Sequence, residues 1–485
     1  MNITSRREFL KAAGGLCFGA GLLSSLIDCG DAHASGKADR PNIVFVLADD
    51  LGWNGIGPNG NTDVDTPNLD RLAKDGMRFT NAYAEAQCSP ARAALISGQW
   101  PARSGMFAVV HEEHPIYAPM TPPQRLKYLP PEIASMAKTL QVCGYKTAIS
   151  GKWHTGRSKG VKLEDFGFDH VGPSARRSKL KDKGITEITD DLIGFIKSNK
   201  DKPFFAYFSH HAVHTPLEAL PELKKKYADR GFKESSTPRC IESERPTAEY
   251  YAMIDHLDDS IGRIVQTLEQ LGIAKKTLLI FTSDNGGLSR MADMYPLRSS
   301  KGSPYEGGLR IPMIARWPGV IPAGATCDEP VHFVDYYPTF VEVAGGNIAS
   351  VEHTLDGTSI LPLLKGQTSR LPREDLYWHM PTYTANYGRT PCSVIRSGPW
   401  KLIHYFGDYL ENQKNKVPFG DFVLGPRTEL YNLKLDPSET KDLADIETTR
   451  KNELLKRLRA WHKDTNAAMP TRNPNFKPEK WWLKE

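Results

Sequence analysis

Four nearly continuous apolar runs constrain this chain more than any other feature, because each stops abruptly at a polar cluster. Ile43–Ala48 runs into Asp49-Asp50-Leu51-Gly52, and Lys146–Ser150 into Gly151-Lys152-Trp153-His154. Phe204–Phe208 runs into Ser209-His210-His211 and reaches His214, and Leu278–Thr282 runs into Ser283-Asp284-Asn285-Gly286-Gly287. Apolar runs without polar alternation suit strands covered on both faces of a mostly parallel sheet. Helical patterns lie between them. Thr66-Pro67 predicts a helix opening that runs toward Asp75 and Gly76. Ile254, Leu257, Ile261, Ile264, Leu268 and Leu271 keep helical spacing up to a stop at Gly272. Strands alternating with helices predict an α/β fold, a large mostly parallel sheet flanked by helices. Ligands of such sheets bind beyond the carboxyl ends of the strands, where the four polar clusters gather.

The tail reads differently. From Leu371 the expected strands are short and polar, as in Ser393–Arg396 and Lys401–His404, before a final helix from about Thr448 to Asp464. The expected organisation is a leader over 1–34, a catalytic α/β domain over 40–370 and a smaller C-terminal α+β domain over 371–485. The smaller domain is expected to hold an antiparallel sheet and a helix.

The leader reads from its own pattern. Ser5-Arg6-Arg7-Glu8-Phe9-Leu10-Lys11 is a twin-arginine sequence, followed by an apolar stretch over 12–27 and an Ala32-His33-Ala34 cleavage pattern. The stretch is short for a membrane span. A removed signal peptide is therefore expected rather than a retained anchor, with the twin-arginine export machinery as partner and a periplasmic or secreted location. No stable membrane span is expected in the mature chain. Of seven cysteines, Cys88, Cys143, Cys240, Cys327 and Cys392 lie beyond the leader, without a CxxC pair. An odd number leaves at least one unpaired. Net charge is +5 over 485 residues, too mild for a chain built to bind nucleic acid yet compatible with a local basic pocket for anions.

Asp49, Asp50, Asp284 and Asn285 offer hard oxygen ligands, a set suited to Ca²⁺ or Mg²⁺. One such cluster after a strand is commonly a turn or a cap. Two clusters at two strand ends favour a metal pocket. Cys88-Ser89-Pro90-Ala91-Arg92 places Cys88 just ahead of a helix N-terminus, with Gly98 as its stop. Backbone N–H groups there favour an anion, and Arg92 falls in the first turn. Position alone leaves two readings open, a reactive group or a small buried cysteine.

Cys88-Ser89-Pro90-Ala91-Arg92, continued by Ala93–Ser97 and Gly98, resembles the signature of the type I sulfatases of the alkaline-phosphatase-like superfamily. Asp49–Gly52, Gly151–His154, His214-Thr215-Pro216, Ser283–Gly286 and Lys301-Gly302 through Tyr305–Gly308 resemble its other blocks, in family order. Asp356-Gly357, Trp400-Lys401-Leu402 and Leu430–Leu433 with Asp436-Pro437 resemble its tail. The resemblance covers Pro41 to about Asp445.

It implies a sulfatase acting on sulfate monoesters; export and the mildly basic chain make sulfated carbohydrate the expected substrate. It also implies that a converting enzyme turns Cys88 into formylglycine, whose hydrate carries two hydroxyls on one carbon. One attacks sulfur; deprotonation of the other then expels sulfate as the aldehyde reforms, an exit that a thiolate lacks. Asp49, Asp50, Asp284 and Asn285 would hold Ca²⁺, ahead of Mg²⁺, together with residue 88. Arg92 would stabilise the nucleophile, and Lys152 and Lys301 would neutralise sulfate oxygens. His214 would protonate the leaving group, and His154 would take the second hydroxyl's proton. His211 is expected to touch substrate.

Two rival readings stand beside this one. The first is a phosphodiesterase or phosphonate hydrolase of the same superfamily, and the second an inactive glycan-binding relative. His111-Glu112-Glu113-His114 reads as a solvated or substrate-facing loop rather than a metal site. The charge run Arg176-Arg177-Ser178-Lys179-Leu180-Lys181 reads as a solvated face or a guide for a polyanionic chain.

Overall fold

The computed structural model describes residues 40–480, apart from 177, 236–245, 290, 385–388, 408, 411–421, 424 and 478–479. The expected signal peptide, Cys240 and Arg177 lie outside the described residues. The four apolar runs become strands β1 (Asn42–Ala48), β3 (Lys146–Gly151), β5 (Phe204–Ser209) and β6 (Thr277–Ser283). They join β2 (Met77–Tyr83), β4 (His170–Val171), β7 (Arg310–Arg316), β8 (Ala325–Cys327) and β9 (Val331–His332) in one nine-stranded sheet. Its order is β9-β2-β7-β6-β1-β5-β3-β4, with β8 paired to β2. Only β7 runs antiparallel to its neighbours.

Strand alternation explains why no polar residue interrupts β1. Ile43, Phe45 and Leu47 face one hydrophobic core, and Val44, Val46 and Ala48 face the other, all fully buried. Burying a side chain of that size contributes about 1.5–3 kcal/mol, so a polar residue at any of these positions would weaken a packed face. The second core is filled from helices α1 (Pro67–Lys74), α4 (Ile185–Asn199), α5 (Pro221–Asp229) and α6 (Ala248–Gln270), and the first from α2 (Cys88–Ser97) and α7 (Tyr336–Val343). A further helix, α3 (Met136–Val142), packs on the same side as α2. Thr66 precedes Pro67 as expected, but its hydroxyl accepts from the Gly57 N–H at 2.9 Å rather than capping α1. Helix α6 opens on Thr247, whose side chain accepts from Tyr250 N, and stops before Gly272 at φ 70°.

A second sheet is antiparallel, in the order β10 (Asp375–Met380), β11 (Cys392–Ser397), β12 (Trp400–Tyr405) and β13 (Thr428–Asn432). Helix α8 (Thr448–Asp464) packs on it through Leu454, Leu458 and Trp461. These strands are not the polar ones expected. Val394, Ile395, Leu402 and Ile403 are fully buried in the same core as Phe45 and Phe79. The polar residues among them are internally paired: buried Lys401 lies 3.0 Å from Glu306 and 2.9 Å from Glu439. Trp378 on β10 donates to the Ala84 carbonyl at 2.8 Å, joining the second sheet to the large one. No helix among the described residues is long and apolar enough to cross a membrane.

Candidate active site

The carboxyl ends of β1, β3, β5 and β6 hold one another by backbone bonds that continue past the strands. His210 N donates to Leu47 O, Asp49 N to Ala212 O, Lys152 N to Ser209 O and Asp284 N to Ala48 O, at 2.7–3.1 Å. Asp50 and His154 take left-handed backbone angles, φ 62° and 61°, which cost a non-glycine residue about 1–3 kcal/mol. Such residues persist where surrounding bonds fix them. Here those bonds aim both side chains at the gap between the strand ends.

Three carboxylates meet three cations in that gap. Arg92 donates Nε–H to Asp284 Oδ2 at 2.9 Å with its Nη2 2.8 Å from the same oxygen as an ion pair, and its Nη1 donates to Lys152 O and Ser209 Oγ at 3.0 and 2.7 Å. Lys152 donates to Asp49, and Lys301 to Asp50 at 2.5 Å. Every partner is buried. Against the upward push of burial, Lys152 and His214 hold Asp49 well below the usual carboxylate range, and Lys301 and His214 act likewise on Asp50. Both acids are therefore ionised.

Cys88 is the first residue of α2, one position further into the helix than its sequence suggested. Gly98, at φ 66°, closes that helix by donating to Ala94 O. The Cys88 sulfur lies 3.4 Å from Asp49 Oδ1, 3.7 Å from Asp50 Oδ1 and 3.2 Å from Lys301 Nζ. Burial, with Asp284 beside it, pushes the thiol well above its ordinary range. An unmodified Cys88 is thus a neutral thiol, not an activated thiolate.

The histidines divide by what their nitrogens face. His214 Nδ1 lies 2.5 Å from Thr215 O and must donate to it, which turns Nε2 toward Asp50 Oδ2 at 3.7 Å. His211 donates Nε2–H to Ser174 O at 2.7 Å, and burial lowers it to about 4. His154 has a buried Nδ1 without a partner; burial and the Lys152 charge lower it to about 2, so it is neutral. His210 is fully buried and equally neutral, a core residue. Glu112 of the His111–His114 segment accepts from Thr384 Oγ1 at 2.7 Å and Val109 N at 3.3 Å, and no metal cluster among the described residues includes it.

Asp49, Asp50, Cys88 and His214 bring ligand atoms within 4.8 Å of one another. Of the predicted ligands, Asp49, Asp50 and Cys88 fall in that group. Asn285 joins it by donating to Asp50 Oδ1 at 2.8 Å. Asp284 lies beside it, accepting from Asp50 N at 3.2 Å and from Arg92. Two acceptor atoms, Asp50 Oδ2 and Asn285 Oδ1, are buried without a hydrogen-bond donor. Hard oxygens left unpaired beside ionised carboxylates fit a divalent oxygen-seeking cation. Sequence reasoning missed Ser209, which holds Arg92, and Ser283, whose hydroxyl accepts from Leu51 N at 3.0 Å. Their position at strand ends was the available signal. Arg389, which donates to Gln87 Oε1 at 2.9 Å next to Cys88, gave none.

A mostly parallel sheet with one antiparallel strand gathers acids, lysines and an arginine-anchored helix start at its strand ends, an α/β enzyme site suited to an anionic ester. The chain belongs to the sulfatase family: residues 41–346 match the family described as Sulfatase, and residues 300–464 match the one described as N-sulphoglucosamine sulphohydrolase, C-terminal. It is 31% identical to a sulfatase of Formosa agariphila, covering 92% of this chain and 93% of that one. It is 32% identical to the N-acetylgalactosamine-6-sulfatase of Mus musculus, over 70% of this chain and 69% of the relative. A solved structure of Ps i-CgsB with k-i-k-neocarrahexaose is similar at a TM-score of 0.69 and 27% identity, covering 90% and 95% of the two chains.

Proposed function

We propose that this enzyme is an exported, Ca²⁺-dependent sulfatase that removes sulfate from carbohydrate, with Cys88 converted to formylglycine as its nucleophile. The observation that carries the reading is the setting of Cys88. Two ionised aspartates and a lysine surround a thiol that burial keeps protonated, so the site is organised around residue 88 while the thiol itself is unreactive. A hydrated aldehyde there supplies the nucleophile that the thiol cannot.

Asp49, Asp50, Asp284, Asn285 and residue 88 would hold Ca²⁺. When bound, the ion supplies charge stabilisation for the sulfuryl oxygens and lowers the nucleophile's pKa. The chain's own groups do the rest. Arg92 fixes Asp284 and the β3 and β5 ends, so the nucleophile's surroundings do not reorganise during reaction. Lys152 and Lys301 place two buried ammonium charges against the sulfate oxygens. His214, with Nδ1 committed to Thr215 O, presents Nε2 as the proton donor to the departing alkoxide. His154, neutral, accepts the proton from the second hydroxyl, and His211 borders the sugar.

The glycan reading is supported by the N-acetylgalactosamine-6-sulfatase relatives and by the structure solved with k-i-k-neocarrahexaose. Export to the periplasm or beyond rests on the twin-arginine leader, and disulfide-bonded Cys143 accords with an oxidising compartment. The test is sulfate release from a panel of sulfated mono- and oligosaccharides with one aryl sulfate as reference. Release from one sugar at one ring position supports the reading. Turnover of matched phosphodiesters or phosphonates in place of every sulfate ester would overturn it.

A further inference from the structure

The basic segment at 174–183 borders the mouth of the site. Ser174 O receives the His211 Nε2–H at 2.7 Å, and Lys183 Nζ donates to Pro216 O at 2.6 Å, two residues beyond His214. Both ends of the segment are thereby fastened to the loop that carries the proposed proton donor. Arg176, Lys179 and Lys181 are exposed, whereas Lys183 is buried.

None of Arg176, Lys179, Lys181 and Lys183 forms an ion pair with a carboxylate among the described residues. The one acid in the segment, Asp182, is buried and turned inward, where it accepts from Gly184 N at 2.9 Å and Thr186 N at 3.0 Å at the start of α4. Its charge is spent on the helix start. The contrast with the catalytic gap is direct, since Arg92, Lys152 and Lys301 each hold an aspartate there. Lys183 is buried and bonds a carbonyl rather than a carboxylate, with only the field of Glu218 and Asp49 supporting its charge, a costly arrangement that an ordinary solvated face has no reason to retain. An electropositive strip at the entrance concentrates and orients an anionic ligand.

We infer that Arg176, Lys179, Lys181 and Lys183 form a docking strip for a polyanionic glycan, whose sugars next to the scissile sulfate carry further sulfate or carboxylate groups on the His211 side. This deepens the sulfatase reading and rests on it. Lys183 would meet the nearest extra anion, and Arg176, Lys179 and Lys181 those further along the chain.

The test compares the wild type with the triple variant Arg176→Ser, Lys179→Ser, Lys181→Ser and with Lys183→Met. Two readouts are taken: binding to a dextran sulfate oligosaccharide across a salt series, and the ratio of kcat/KM for a multiply sulfated oligosaccharide to that for an aryl sulfate. The expected result is at least tenfold weaker dextran sulfate binding in the triple variant, with a shallower salt dependence. The kcat/KM ratio falls at least tenfold in both variants, chiefly through KM. Wild-type binding and ratios within twofold in both variants would overturn the strip. Binding is read without turnover, so a wild type that binds dextran sulfate but releases no sulfate from any ester contradicts the catalytic reading alone.

Discussion

The ammonium of Lys301 lies 3.2 Å from the sulfur of Cys88, and the same nitrogen is 2.5 Å from Asp50 Oδ1. One buried cation thus joins the residue proposed to react to an acid that would bind metal. Replacing it by methionine keeps the volume and removes the charge. Lys301→Met is expected to lower kcat by about 10²–10³-fold, as for loss of a preorganised charge at a reacting oxygen. The assay is sulfate release at saturating substrate, with residue 88 checked by mass so that conversion and catalysis are separated.

Arg92 commits Nε to Asp284 and Nη1 to Lys152 O and Ser209 Oγ, and its Nη2 stands 2.8 Å from the same Asp284 oxygen as an ion pair. A lysine cannot span that fork. Arg92→Lys should therefore lose most activity and also lower Tm by several degrees, since breaking a buried ion pair costs about 3–5 kcal/mol. Thermal unfolding of the purified variant checks the second half of this expectation.

Asp50 Oδ2 and Asn285 Oδ1 predict that a cation stabilises the fold as well as the reaction. Chelation should lower Tm by several degrees and Ca²⁺ restore it, because a ligand bound only by the folded state adds stability by mass action. In Asn285→Leu that response should shrink. An unchanged Tm on chelation and readdition would count against the metal site.

Acid should loosen the second sheet. His379 Nε2 donates to Ala468 O at 2.9 Å, so its Nδ1 accepts from Ser393 Oγ at 2.8 Å, and Ser393 Oγ in turn accepts from His462 Nε2 at 2.9 Å. Burial lowers His379 to about 4 and His462 to about 3, the latter with His379 beside it. The unfolded chain binds these protons near pH 6.5 and the folded chain does not, so stability is full above that pH and falls between about 6.5 and 3–4. Tm followed from pH 7.5 to 4.5 should drop, with a shallower slope in His462→Gln.

Much of the fold and the centre of the site were legible in the sequence because both depend on local pattern. An apolar run covered on both faces admits no polar residue until the sheet ends, so Ala48, Gly151, Ser209 and Ser283 mark the strand ends and the residues after them mark the site. Helix α8 spans Thr448–Asp464, as its spacing indicated. The second sheet was legible as antiparallel strands with a helix, but its polarity was misjudged for the complementary reason. Lys401 and Arg396 made these strands look polar, but Glu306, Glu439 and Tyr83 meet them inside the core. Arg389 bonds to Gln87 across 302 positions of chain, a pairing that no local pattern encodes. The contacts of Lys183 and Ser174 with the His211–Pro216 loop are equally invisible until the chain is folded.

The central claim is that residue 88 acts as an aldehyde hydrate and not as a thiol. Its most direct test is the mass of the residue-88 peptide, with and without an aldehyde-trapping hydrazine, measured on the enzyme whose sulfate release is assayed. The account predicts formylglycine at residue 88, turnover proportional to its fraction, and a folded but inactive Cys88→Ala variant. Full turnover from protein carrying only a plain thiol at residue 88 would contradict it.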